Sequence, residues 1–209
     1  MTSTLRLVDH PLIHVRLTEA RDKRTTPERF RWLVSQIAQV LVIEAFRDLP
    51  TEATTVDTPL TAYVGRQLTG PITIVPILRA GLAMADAVHQ VIPSASMGHI
   101  GLYRNEETLV PVQYYERMPN DAAAGPVLLV DPMLATGGSL VVALQRLRDA
   151  GCTDLRVLCL LAAPEGVDRL ATAFPDVPVF AGALDDHLNE QGYIVPGLGD
   201  AGDRIYGTL

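Results

Sequence analysis

The chain has 209 residues, of which 48% are apolar and 20% are charged, and its formal net charge is −7. This length suits one domain, or a core with an appended subdomain, and the apolar share is enough for a sizeable core. The negative charge argues against a general nucleic-acid surface. An anionic small substrate would therefore have to be held by local groups.

The sequence contains no signal for a metal cluster, a disulfide or a membrane segment. Cys152 and Cys159 lie near a helix end and inside an apolar run, without metal-ligand spacing, so we predict reduced cysteines in the core. Residues 1–9 lack the apolar centre of a signal peptide, and no apolar run reaches membrane-spanning length. We expect a soluble, cytoplasmic protein that binds neither nucleic acid nor membranes.

The first third of the chain predicts one long helix between less regular segments. Residues 1–23 are mixed in composition and are expected to wrap over another part of the molecule. Thr26 is a good N-cap before Pro27, and apolar residues then recur every three or four positions, which predicts an amphipathic helix to about Arg47. Residues 51–71 are polar and predict a short strand and a loop.

Strands and helices then alternate. The apolar runs Ile72–Leu78 and His99–Tyr103 predict strands, with a helix at Leu82–Val91 between them. Pro76 is awkward in a central strand, so we expect the hydrogen-bond ladder to end or bulge there. Residues 109–118 alternate apolar and polar side chains, which is typical of an exposed hairpin arm.

The most informative stretch is a strand, a glycine-bearing loop and a helix. Val127–Val130 is typical of a buried parallel strand, Asp131 follows at its carboxyl end, and apolar residues recur at helical spacing from Leu140. Thr136-Gly137-Gly138-Ser139 lies between them. This order directs backbone N–H groups and the positive end of the helix dipole at one point, where a phosphate fits. The stretch has neither the Walker lysine nor the GxGxxG pattern of dinucleotide-binding folds.

Two more strands and a glycine-rich tail complete the chain. Leu155–Leu161 and Val177–Ala181 predict strands, with a helix at Val167–Phe174, whereas residues 184–209 predict a structured segment over a site. The alternation predicts an α/β fold with a mostly parallel sheet and helices on both faces. Ligands of such sheets lie beyond the carboxyl ends of the strands. Three charged residues fall at such ends: Arg79, Arg104 and Asp131.

Several stretches together resemble the uracil phosphoribosyltransferases, a branch of the type I phosphoribosyltransferases. They are residues 75–82, 103–108, 130–139, 162–166 and 192–203, with shorter matches at 10–12 and 21–23. The likeness covers nearly the whole chain. It implies a single domain over residues 1–209, with a type I phosphoribosyltransferase-like core at about 70–165 and a small hood built from the chain ends, 1–69 and 166–209. It also implies the transfer of a phosphoribosyl group from phosphoribosyl pyrophosphate (PRPP) to uracil, giving UMP and diphosphate in pyrimidine salvage.

The resemblance implies roles for residues at matching positions. Arg79 and Arg104 would contact the pyrophosphate of PRPP, Asp131 would reach the ribose hydroxyls, and Asp200 would lie near PRPP and the base. Arg104, Asp131 and Asp200 are the implied catalytic residues. The other implied PRPP-binding residues are Pro132, Met133, Leu134, Ala135, Thr136, Gly137, Gly138 and Ser139. Uracil would be held, largely by backbone groups, at Ile194, Gly199, Asp200 and Ala201.

The resemblance further implies Mg²⁺ as cofactor, without a direct protein ligand and held mainly by PRPP and water. It suggests a homo-oligomer, a dimer or larger, and GTP as an allosteric activator in some members. Two alternatives stay open. An RNA-binding regulator on the same scaffold would need a basic face, and a purine-specific enzyme would be expected to carry a carboxylate at the position of Ala135. The group that accepts the uracil N1 proton also stays open, with Asp200 the nearest candidate by sequence.

Overall fold

The computed structural model describes residues 4–104 and 111–208. Within these ranges the chain forms six α-helices and thirteen strands. The helices are α1 (Pro11–Arg21), α2 (Pro27–Ala45), α3 (Leu82–Val91), α4 (Gly138–Asp149), α5 (Pro164–Ala173) and α6 (Ala201–Tyr206). The strands are β1 (Leu5–Leu7), β2 (Thr51–Asp57), β3 (Ala62–Leu68), β4 (Thr73–Leu78), β5 (Ser96–Met97), β6 (His99–Arg104), β7 (Pro111–Arg117), β8 (Val127–Val130), β9 (Met133–Leu134), β10 (Leu155–Ala162), β11 (Val179–Leu184), β12 (His187–Leu188) and β13 (Ile194–Val195).

The main sheet has the strand order β1-β11-β10-β8-β4-β6-β7, with β5 beside β4 and β9 beside β10. The described strands of this sheet pair in parallel except at β6 and β7, which are antiparallel. The central strands β8 and β10 are buried along their whole length. Continuous apolar runs of this kind are typical of parallel strands covered on both faces. The predicted mostly parallel α/β sheet is therefore confirmed.

Helices cover both faces of the sheet, as the sequence predicts. Successive side chains of a strand point to opposite faces. On β8, Leu128 and Val130 belong to a core shared with α1, α2, α3 and α6, whereas Val127 and Leu129 belong to a core shared with α4 and α5. Cys152 and Cys159 are buried in the second core and carry no disulfide, as expected for core cysteines.

The N-terminal residues contribute to the sheet and its helix layer. The Thr26 hydroxyl accepts a hydrogen bond from the Arg29 N–H at 3.4 Å, and α2 ends at Ala45, close to the predicted Arg47. β1 pairs with β11 at the sheet edge, and α2 packs its buried apolar side on β10 and β11. The predicted division into a core and a hood stays a prediction, although within residues 1–69 β1 joins the sheet and α2 packs on it. The sheet also extends beyond the predicted core of residues 70–165, because β1 and β11 complete it.

Residues 51–68 form a hairpin rather than the predicted short strand and loop. β2 and β3 pair in antiparallel register from Thr51–Leu68 to Asp57–Ala62. Both strands are largely exposed, so their polar composition imitates a loop. Threonine and valine at exposed positions nevertheless favour the extended backbone.

Pro76 does not end its strand. It pairs in register with Val130 on β8, on one side of β4. On the other side, β4 pairs with β5 as far as Ile74 and resumes with β6 at Ile77. Because Pro76 has no N–H to donate, this gap in the ladder is a position that tolerates it. The predicted ladder defect is therefore present without a break in β4.

Candidate active site

A cleft of about 160 Å³ opens beyond the carboxyl end of β8. Its lining combines the loop after β8 with the first residues of α4: Asp131, Met133, Ala135, Thr136, Gly137, Gly138, Ser139 and Leu140, together with Pro111 and Gly192. The strand, loop and helix occur in the predicted order, and most of the predicted PRPP-binding residues face one cavity.

The backbone at the start of α4 is arranged to receive an anion. Gly137 is the N-cap, with φ of 74° in the left-handed region that favours glycine. The Gly138 N–H makes a long 3.4 Å hydrogen bond to the Thr136 hydroxyl. The N–H groups of Gly137, Ser139 and Leu140 meet no acceptor in the described part of the chain. Unsatisfied donors at the positive end of a helix dipole form a phosphate site.

Helix α5 supports this loop from the side away from the cleft. A Cβ atom on Gly166 would overlap the Ala135 carbonyl oxygen, so the close approach of α5 requires glycine there. A Cβ on Gly137 would lie 3.0 Å from the Gly166 carbonyl oxygen. The sequence stretch 162–166 therefore contributes to the site by packing, not by contact with the cavity.

Two residues of the predicted phosphate loop, Pro132 and Leu134, do not line the first cleft. The Leu134 side chain is fully buried in the core, and Pro132 is buried at the end of β8. The Pro132 carbonyl accepts hydrogen bonds from the N–H groups of Leu160 and Leu161 on β10. Side chains alternate about an extended backbone, so Met133 and Ala135 face the cavity while Pro132 and Leu134 hold the loop to the sheet.

Asp131 is partly exposed in the cleft, and its Oδ1 accepts the Met133 N–H at 3.3 Å. Burial raises the pKa of this carboxyl group to about 7, and the negative charge of Asp200 adds to the rise, whereas the bond from Met133 lowers it. Without a ligand, this carboxyl group would therefore be partly protonated near neutral pH. A ligand that donates hydrogen bonds to the carboxylate would favour its ionised form.

A second cleft of about 200 Å³ adjoins the first. The two share Met133, Ala135 and Gly192 as lining residues. The remaining lining comes from the C-terminal segment and the end of β4: Ala80, Tyr193, Ile194, Gly199, Asp200, Ala201 and Gly202. All four predicted uracil-binding residues therefore lie together, beside the phosphate loop. The prediction omitted Ala80, Gly192, Tyr193 and Gly202 as site residues, although all four lie in the stretches that carry the family resemblance.

The half-buried Arg21 and the buried Arg204 fix the path of the C-terminal segment. Arg21 at the end of α1 makes two bonds, of 2.6 and 2.7 Å, to the Asp185 carboxylate and a third to the Gly197 carbonyl. Asp185 also accepts the Gly197 N–H at 2.9 Å. Arg204 on α6 donates to the Leu198 carbonyl at 2.8 Å. The Arg21–Asp185 pair was not predicted because its two residues lie 164 positions apart in the chain.

The two predicted pyrophosphate-binding arginines stand at strand ends. Arg79 follows β4, and its exposed guanidinium lies 3.9 Å from the Asp203 carboxylate. The Tyr206 hydroxyl donates to the Arg79 carbonyl at 2.9 Å. Arg79 thus lies against α6, outside the lining of the two clefts. Arg104 ends β6, and its side chain lies outside the described part of the structure, so its role stays a prediction.

Asp200 caps α6. Its Oδ1 accepts the Asp203 N–H at 2.9 Å, and its second oxygen has no hydrogen-bond partner among residues 4–104 and 111–208. In the same ranges, no group of three or more histidine, cysteine or acidic residues could hold a metal ion. No described helix is both long and apolar enough to cross a membrane.

The chain has the α/β fold that is found in phosphoribosyltransferases. Adenine phosphoribosyltransferase from Trypanosoma brucei shares the fold, with a TM-score of 0.55 at 13% identity over 96% of this chain and 90% of that one. The AQ2163 protein from Aquifex aeolicus is far more similar, with a TM-score of 0.92 at 40% identity over 97% of both chains.

Sequence comparison identifies the particular branch. A family model described as uracil phosphoribosyltransferase matches residues 7–208. The uracil phosphoribosyltransferase of Dictyoglomus thermophilum is 50% identical over 97% of this chain and 98% of its own. That of Lachnoclostridium phytofermentans is 52% identical over 99% of both. The chain therefore belongs to the uracil phosphoribosyltransferase family, which confirms the predicted family, fold class and enzyme function.

Proposed function

We propose that this enzyme transfers the phosphoribosyl group of PRPP to uracil, forming UMP and diphosphate in pyrimidine salvage. The observation that carries the proposal is the pair of adjoining clefts. One has a phosphate loop as its wall, and the other is lined by the C-terminal segment. Both clefts are bordered by Met133, Ala135 and Gly192. A ribose that spans the two clefts would therefore present its anomeric carbon to a base bound in the second cleft.

In this proposal the 5′-phosphate of PRPP binds at the start of α4. The N–H groups of Gly137, Ser139 and Leu140 are free to donate to it, and the Thr136 and Ser139 hydroxyls supplement them. Such local donors are needed because the chain carries a net charge of −7. A uniform field of that sign would repel a polyphosphate.

The Asp131 carboxylate would accept hydrogen bonds from the ribose hydroxyls. It stands at the carboxyl end of β8, in the cleft that contains the phosphate loop. Its pKa of about 7 in the free protein means that PRPP binding would favour loss of its proton. The ionised group would then stabilise the positive charge that develops on the ribose as the diphosphate departs.

Uracil would lie in the second cleft. The base presents two carbonyl acceptors and an N–H donor, which backbone groups at Ile194, Gly199 and Ala201 can match. Asp200 lines the same cleft and has one carboxylate oxygen without a partner in the described ranges. We assign that oxygen as the candidate group for orienting the base or receiving its N1 proton, directly or through water.

Departure of the diphosphate would be assisted by Arg79 and Arg104. Arg79 follows β4 and Arg104 is the last residue of β6, so both lie at the carboxyl ends of strands, where the clefts open. The residues present fit a Mg²⁺ ion carried by the substrate, because carboxylates of Asp131 and Asp200 line the clefts and no closed cage of protein ligands exists among the described residues. Such an ion, when bound, would neutralise charge on the leaving group.

The finer expectations from the resemblance stay predictions: dependence on Mg²⁺, a homo-oligomeric state, activation by GTP and a cytoplasmic location. The first three can be measured on the purified protein. Removal of Mg²⁺ with a chelator should abolish turnover, light scattering should give a mass of a dimer or larger, and GTP should raise the rate at low PRPP.

One assay tests the proposed reaction directly. Purified protein is incubated with PRPP, Mg²⁺ and each free base in turn, and nucleotide and diphosphate are measured. We expect UMP from uracil and no product from adenine or hypoxanthine. Turnover with a purine but not with uracil would overturn the proposal. RNA filter binding at physiological salt tests the RNA-regulator alternative, for which we expect no retention.

A further inference from the structure

Arg169 on α5 is an exposed cation beside the phosphate loop. Its Nη1 lies 3.4 Å from the carbonyl oxygen of Thr136, which it contacts as a donor. A Cβ atom built on Gly138 would lie 3.5 Å from the same nitrogen. Thr136 and Gly138 both line the first cleft. The guanidinium thus contacts two residues of the loop, although Arg169 itself is not among the residues that line the cleft.

The charge of Arg169 is not neutralised by a neighbour in the described part of the chain. No carboxylate there forms an ion pair with it. Glu165, one turn earlier on α5, instead accepts the Leu188 N–H at 3.0 Å. A guanidinium has five N–H donors, and Arg169 uses one of them in a long bond. Most of its donor capacity is therefore available to an anion in the cleft.

We propose that Arg169 is a PRPP-binding residue that donates to the 5′-phosphate when the substrate occupies the cleft. This inference rests on the proposed function, because it deepens the assignment of the same phosphate site. The backbone N–H groups of the loop supply neutral donors only. A charged, forked donor strengthens phosphate binding, and a long side chain needs only a rotamer change to move from the Thr136 carbonyl to the anion.

A purely structural role makes different predictions. If Arg169 only ties α5 to the loop, its bond to the Thr136 carbonyl matters and its charge does not. Arg169→Gln keeps an N–H donor and removes the charge, whereas Arg169→Lys keeps the charge and loses the fork. Arg146→Gln is the matched control, because Arg146 is also exposed, lies in the last turn of α4 away from the cleft, and changes the net charge equally.

The experiment measures the Kd of ribose 5-phosphate and of PRPP by calorimetry at low and high salt, with kcat and the KM for uracil. We expect Arg169→Gln to weaken both ligands by about tenfold at low salt and by less at high salt. Arg169→Lys should recover part of the loss, and Arg146→Gln should stay within about twofold of wild type. The uracil KM and the melting temperature should hardly change.

Two results would overturn the inference while leaving the proposed reaction intact. One is wild-type affinity for ribose 5-phosphate in Arg169→Gln together with normal UMP formation. The other is equal weakening in the Gln and Lys variants with a lowered melting temperature, which would assign Arg169 to packing. Conversely, a wild-type protein that binds ribose 5-phosphate in an Arg169-dependent way, yet forms no UMP, would refute the reaction and retain the phosphate contact.

Discussion

The phosphate loop and the uracil-binding segment reach the same cavity by different physical routes. The loop is a continuous run from β8 to α4, and its donors come from the first turn of a regular helix. The segment from β13 to α6 has little regular structure. Its path depends on Arg21 of α1 and on Arg204 of α6, whose guanidinium also donates to the Ala20 and Asp22 carbonyls near the end of α1. The loop is a local device, whereas the segment is held by long-range contacts.

The difference predicts how each region responds to change. Backbone recognition in the loop depends on the conformation of a few consecutive residues. Recognition of the base depends on whether distant groups keep the segment in place, and on single N–H groups within it. Substitutions that alter one backbone position should therefore separate PRPP binding from uracil use. Substitutions in the contact between Tyr206 of α6 and Arg79, which joins the two regions, should weaken PRPP binding and uracil binding only slightly.

Gly137→Val should have the largest effect, with a loss of PRPP affinity of at least about a hundredfold. Valine strongly disfavours the left-handed φ of 74°, and its Cβ would lie 3.0 Å from the Gly166 carbonyl oxygen. The reason is thus backbone strain and pressure on α5, since the side chain points to α5 rather than to the phosphate. Calorimetric titration with PRPP is the measurement.

Gly151→Val is the matched control, because Gly151 also has a positive φ, of 86°, but follows the far end of α4. A Cβ there meets only the Ala123 methyl, at 3.9 Å. Backbone strain should destabilise the fold of both variants by about 1–3 kcal/mol. Only Gly137→Val should lose affinity for PRPP. Equal PRPP affinity in the two variants would show that the phosphate binds elsewhere.

Ala201→Pro should come next, with a fall of about fiftyfold in kcat/KM for uracil and little change in PRPP affinity. Ala201 is the first residue of α6, where proline is tolerated because that N–H has no partner within the helix. The preceding Asp200 is extended, with ψ of 112°, as a residue before proline requires. The change therefore deletes one donor to uracil while α6 keeps its geometry.

Steady-state kinetics with uracil and calorimetry with PRPP measure the two effects separately, and Ala201→Gly is the control because it retains the N–H. An unaltered uracil KM in a folded Ala201→Pro protein would remove this N–H from the base site.

How much the sequence predicts follows the same division between local and distant contacts. Periodicity and the glycine pair were sufficient to predict β8, the loop and α4, because each depends on neighbours in the chain. The Arg21–Asp185 pair joins residues 164 positions apart, and nothing local in either marks the other as its partner. The β2–β3 hairpin was missed for another reason, since exposed strands lack the apolar run that identifies buried ones.

The sequence also did not predict which residues of the phosphate loop face the cleft. The resemblance treats residues 132–139 as one binding unit, and only the alternation of side chains at β9 separates Met133 from Leu134. Arg169 was missed because nothing in the sequence distinguishes it from the other exposed arginines. Only the packing of α5 on the loop places its guanidinium beside Thr136 and Gly138.

Asp131, in the cleft with the phosphate loop, predicts that PRPP affinity depends on pH. Its carboxyl pKa is raised from 3.8 to about 7 in the free protein, and PRPP would bind the ionised form. We therefore expect PRPP affinity to rise by about thirtyfold between pH 5.5 and pH 8. Asp131→Asn should lower affinity and remove this part of the rise, while keeping the contribution from titration of the PRPP phosphates.

Whereas PRPP affinity should rise with pH, the contribution of Asp131 to folding stability should fall with pH. Because the folded pKa is the higher one, the folded protein holds this proton more tightly than the unfolded chain between about pH 4 and pH 7. The stabilisation is complete at low pH and is lost as pH rises through about 7. Asp131→Asn should therefore raise the melting temperature relative to wild type more at pH 8 than at pH 5. Parallel melting curves for the two proteins would contradict this assignment.

The smallest effect should come from the link between the regions. The Tyr206 hydroxyl on α6 donates to the Arg79 carbonyl at 2.9 Å, and the Arg79 guanidinium lies 5.7 Å from the centre of the same ring. Tyr206→Phe keeps the ring and deletes the hydrogen bond, which contributes about 1 kcal/mol. If Arg79 binds the pyrophosphate and α6 orients uracil, weakening this hydrogen bond should raise the KM values for PRPP and for uracil by about fivefold or less and leave kcat nearly unchanged.

Tyr63→Phe on the exposed hairpin is the control, since it also removes a single hydroxyl. A rise confined to the PRPP KM would mean that Tyr206 only positions Arg79, and no change in either KM would show that the two regions bind their ligands independently.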